Sequence, residues 1–124
     1  MEASLARVRD GGDAQLLELT QQFDGIALES LRVSKEEIAY AESQVSAEAV
    51  AAMQVAIKNV TTFHAAQLTD PIRVETAPGV VCERVTRPVG AVGLYVPAGS
   101  APLPSTAIML CVPATLAQCP TRII

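Results

Sequence analysis

Tyr95 is the residue best placed to do chemistry. It closes an apolar run, Val89 to Val96, that glycines interrupt at Gly90 and Gly93, and a proline-rich loop from Pro97 to Pro104 follows. In open α/β sheets, ligands bind beyond the C-terminal ends of strands. A tyrosine at such an end can stack on a ring or offer its hydroxyl; equally, it can be a core residue with a satisfied hydroxyl. The same loop offers backbone amides around Ala98 to Ser100, and Ser105 and Thr106 stand at the start of an apolar stretch that reads as a helix. Anions are favoured at helix N-termini. Gly90, Gly93 and Gly99 do not form GxGxxG, and no GxxxxGK[ST] phosphate loop is present. The strand–loop–helix order therefore reads either as a ligand edge or as a connection whose Gly and Pro serve only its turns.

Other reactive side chains make no constellation. His64 is the one histidine, so no second imidazole exists for a zinc site or an acid–base pair. It falls on the apolar stripe of a predicted helix, which places it partly buried near an interface. Glu36, Glu37, Glu42 and Glu48 read as solvated helix faces. Cys82, Cys111 and Cys119 contain no CxxC pair and match no structural zinc spacing. Three unpaired thiols, with a polar stretch after Met1 in place of a leader, indicate reduced cysteines and a cytoplasmic protein.

The elements that must position these residues follow from local signals. Residues 3 to about 66 read as helical. Gly11-Gly12 interrupts the first apolar face, and Asp13 is suited to cap a second stretch carrying Leu16, Leu19 and Phe23, which Asp24-Gly25 ends. Ser34 and Glu37 form a capping box, with Val33 and Ile38 placed as its hydrophobic staple. Ser46 starts a further helix in which Val50, Met53, Ile57, Val60 and His64 recur at helical spacing. Asp70-Pro71 breaks the pattern. Ile72–Thr76 and Val80–Thr86 read as two strands joined by a type II turn at Pro78-Gly79, the second with one wetter face. Val89–Val96 is expected to be a buried strand in which the glycines allow close backbone approach. A helix is expected from about Ser105 to Gln118, with a joint at Pro113, and a further strand from about Arg122.

Composition excludes several classes. The chain has 124 residues, half of them apolar, and a net charge of −4. Its nine Lys and Arg residues are scattered, whereas nucleic-acid binding needs a concentrated basic face. No side chain between Arg87 and Arg122 carries a formal charge. That run is not a membrane span, because Pro97, Pro102, Pro104, Pro113 and Pro120 leave no clean apolar stretch of roughly 18 to 20 residues. With two Phe, two Tyr and no Trp, the core must be built of Val, Ala, Leu and Ile.

The segment VGLYVPAGSAPLPSTAIMLCVPA closely resembles the glycine-proline segment of histidinol dehydrogenases. GGDAQLLELTQQFDG, LRVSKEEI, AIKNVTTFHAAQ and TAPGVVCERVTRPVGAVGLYVP resemble the same family in the same order, so that the likeness runs from about Leu5 to Ile124. The resemblance implies a four-electron oxidation of L-histidinol to L-histidine through the aldehyde, with two NAD and a zinc ion, by homodimers. It implies an α/β chain with a helical arm at residues 1–68. Residues 69–124 would then hold a small β-hairpin unit and the first strand–helix step of a truncated Rossmann-like domain. Tyr95 matches the family's NAD-contacting tyrosine. The zinc ligands, the Glu-His acid–base pair and the substrate-binding residues are expected downstream of Ile124, so the chain alone is expected to be inactive, to lack a metal site and to dissolve poorly. Two departures stand out. Ala98 replaces a usual Gly, at about 1 kcal/mol or more if that position needs a positive φ. Gln118 replaces a Gly expected to end the helix before Cys119. A non-catalytic NAD-binding or small-molecule-binding module, or a dimerisation piece complementing a separate C-terminal part, is the alternative.

Overall fold

The computed structural model describes residues 2–97 and 103–124. It is a mixed α/β chain of two compact units, Met1–Val45 and Ser46–Ile124. The expectations at Ala98, Gly99 and Ser100 lie outside the described residues.

The first unit is helical. Its α1 (Glu2–Asp24) is two helical stretches joined at Gly12, whose φ of 59° and ψ of −142° are not helical. Only glycine takes such a conformation without a Cβ penalty. Across the joint, Arg7 Nη2 pairs with Glu18 Oε1 at 3.0 Å and Arg7 Nε donates to Gln15 Oε1 at 3.0 Å. Arg7 is half-buried and Glu18 exposed, so solvent screens the pair and it adds little stability, roughly 0–1 kcal/mol. Gly25, at φ 70°, ends α1, and its amide donates to the Gln21 carbonyl. The next helix, α2 (Lys35–Gln44), begins at the capping box read from the sequence. The Glu37 amide donates to Ser34 Oγ at 3.1 Å, and the Ser34 amide donates to Glu37 Oε2 at 2.7 Å.

The second unit carries the strands. Ser46 caps α3 (Ala47–Ala65) by accepting from the Ala49 amide. A hairpin follows, β1 (Ile72–Ala77) against β2 (Val80–Arg84), antiparallel, with a register slip between Glu75 and Ala77. Gly79 has φ 79°, the value that the third position of a type II turn requires. Its amide donates to Glu75 Oε1 at 2.8 Å, and Arg73 Nε pairs with Glu83 Oε1 at 2.8 Å across the strands. All five residues of β2 are exposed, so the expected contrast between a wet and a dry face is absent: no layer packs on either side of this two-stranded ribbon among the described residues.

The uncharged run forms a β–α–β step. β3 (Ala91–Gly93) pairs in parallel with β4 (Thr121–Ile123), and α4 (Pro104–Leu116) crosses between them and packs against α3. The helix continues through Pro113, and its last turn closes on Gln118 at φ 59°. There the Cys119 amide donates to the Ala114 carbonyl and the Gln118 amide to that of Thr115, the bond pair of a Schellman cap. The expected buried strand Val89–Val96 is corrected to three residues, of which Val92 is half-buried and its two neighbours exposed. Among the described residues its ladder is as short as its one partner, β4. The core of this unit lies where β3, the end of α4 and β4 meet. Leu94 and Cys119, 8% and 5% exposed, are the buried apolar residues among those described.

Candidate functional site

Tyr95 follows the C-terminal end of β3. Leu94, just before it, is buried, and its amide donates to the Ile123 carbonyl at 2.7 Å, so the chain is anchored one residue ahead of the tyrosine. Side chains alternate along an extended segment. With Leu94 turned into the core, Tyr95 projects outward and is 82% exposed. The core-tyrosine reading is therefore set aside: both the ring face and the hydroxyl are open for stacking or hydrogen bonding.

The start of α4 offers little to an anion among the described residues. Pro104, at the head of α4, has no N–H, and the Thr106 amide already donates to the Leu103 carbonyl at 3.0 Å. Leu103, the cap residue, supplies no side-chain hydrogen bond. Gly90 and Gly93 are likewise corrected as close-approach positions: a Cβ added at either would meet nothing within 4 Å among the described residues. Both lie beside β4 only through ordinary ladder contacts: Gly93 pairs with Ile123, and the Gly90 carbonyl accepts from the Thr121 amide at 3.3 Å.

His64 is half-buried on α3. Its Nδ1 lies 2.9 Å from Gln67 Oε1, an acceptor, so the tautomer carrying Nδ1–H makes that bond. Phe63 meets its ring edge-on at 5.5 Å. Cys82 is exposed, with its Sγ 3.8 Å from Thr76 Oγ1; Cys111 is half-buried and Cys119 buried, and none is in a disulfide. Among the described residues no group of three or more His, Cys, Asp or Glu side chains comes together in a way that could hold a metal ion. These residues therefore do not fit the zinc that the resemblance implies, and no zinc chemistry is assigned to them. Among the described residues no helix is long and apolar enough to cross a membrane.

An apolar concavity lies between α3 and α4. It is a groove of about 360 Å³ lined by Ile57 and Thr61 from α3 and by Ile108, Cys111, Thr115 and Leu116, among others, from α4. No charged side chain lines it, and Tyr95 does not contribute to it. It is suited to packing and is lined by no carboxylate or imidazole.

The family model described as histidinol dehydrogenase matches residues 1–124. Histidinol dehydrogenase of Photobacterium profundum is 56% identical over 115 residues, covering 93% of this chain and 26% of that protein. The corresponding protein of Xanthomonas oryzae is 58% identical over 117 residues, covering 94% and 27%. The crystal structure of histidinol dehydrogenase from Elizabethkingia anophelis superposes with a TM-score of 0.91 at 40% identity, over 97% of this chain and 28% of that one. The chain thus spans about a quarter of the length of the relatives it matches. A family model matched over residues 1–124, with relatives at 56% and 58% identity and a shared fold, leaves one assignment: this chain belongs to the histidinol dehydrogenase family.

Proposed function

We propose that these 124 residues form the cofactor-side edge of an enzyme that oxidises L-histidinol to L-histidine through histidinal. The observation that carries this reading is Tyr95, outward and exposed two residues beyond a strand that is anchored to its parallel neighbour. In this proposal β3–α4–β4 is the first step of a Rossmann-like domain, and Tyr95 holds NAD by stacking on one of its rings, with its hydroxyl free to bond a ribose or phosphate oxygen. NAD, when bound, supplies the ring that accepts hydride. The tyrosine orients that cofactor and moves no proton.

The remaining machinery is assigned to polypeptide outside these residues. A zinc site needs three or four convergent ligands, and the acid–base work needs a histidine placed against a carboxylate; His64 faces Gln67 and Phe63. The full enzyme is proposed to be a zinc-dependent homodimer in the cytoplasm, with residues 1–68 as its helical arm and residues 69–124 as the hairpin and cofactor edge.

A chimera tests this reading. The matching segment of the Xanthomonas oryzae relative is replaced by residues 1–124 of this chain, and NADH absorbance is followed with L-histidinol, NAD and zinc. The proposal expects histidinol-dependent NADH formation. A folded chimera that binds zinc but forms no NADH would overturn it.

A further inference from the structure

We draw no further inference here: the strongest candidate, the apolar groove between α3 and α4, is an unpartnered face and nothing in the structure shows what covers it.

Discussion

Gln118 carries the clearest strain in the chain. It alone among the described non-glycine residues has a positive φ, 59°, and it does so at the position where a Schellman cap favours glycine. A Cβ in the left-handed region costs roughly 1–2 kcal/mol, and glycine there gives some of that back through its larger loss of backbone entropy on folding. The side chain is exposed, so removing it forfeits no packing. Gln118→Gly is expected to stabilise the α4–β4 junction by about 1 kcal/mol, read as a higher midpoint of urea unfolding; an unchanged or lower midpoint would refute the strain. Glu37 makes a second residue-scale prediction. The hydrogen bond from the Ser34 amide, and then that with the Ser34 side chain, hold its carboxyl below the ordinary value of 4.5. A depressed folded value means that the contribution to α2 is complete above that ordinary value and fades as the pH falls through the lower, folded one. A carboxyl-detected NMR titration should place the Glu37 midpoint below 4.5; a midpoint at or above it contradicts the capping box.

Elements whose signals are local were legible in the sequence. The capping box at Ser34 and Glu37, the glycine stop at Gly25 and the Pro78-Gly79 turn each depend on a few neighbouring residues, and each has the expected geometry. Elements that depend on partners were less legible. Val89–Val96 has strand composition throughout, but its ladder extends only as far as β4 pairs with it. The start of α4 is ambiguous in the sequence for a similar reason: whether an amide is free depends on which carbonyl it reaches, and that of Thr106 reaches Leu103. Tyr95 was legible as a position at a strand end, but composition could not say whether it faced inward or outward; the burial of Leu94 decides that. The hairpin offers a test at this scale. Gly79 has no neighbour within 4 Å of an added Cβ, so Gly79→Ala introduces backbone strain and no clash. It should weaken the β1–β2 hairpin by about 1 kcal/mol, seen as loss of cross-strand contacts between Arg73 and Glu83 by NMR; an intact hairpin of unchanged stability would contradict the type II turn.

At the scale of the whole chain, the apolar residues outnumber the places to bury them. Phe23, Tyr40, Val55, Phe63 and Ile124 are each at least 60% exposed, and Leu94 and Cys119 are the buried apolar residues among those described. Ordering each residue costs about 1–2 kcal/mol of backbone entropy, which folded chains offset mainly by removing apolar surface from water. A chain that leaves so much of it exposed is expected to self-associate. Gel filtration should give a broad elution that shifts with concentration, and a sharp, concentration-independent monomer would contradict this. The most direct test of the account returns to Tyr95, in the chimera. Ring stacking on the cofactor predicts that Tyr95→Ala raises the KM for NAD about tenfold, since tenfold is about 1.4 kcal/mol and aromatic pairs are worth roughly 0.5–1.5 kcal/mol. Tyr95→Phe, which keeps the ring and loses only the hydroxyl, should raise the KM for NAD less than Tyr95→Ala does, and the KM for L-histidinol should not move in either variant. A Tyr95→Ala chimera whose KM for NAD is unchanged would contradict the claim that this edge holds the cofactor.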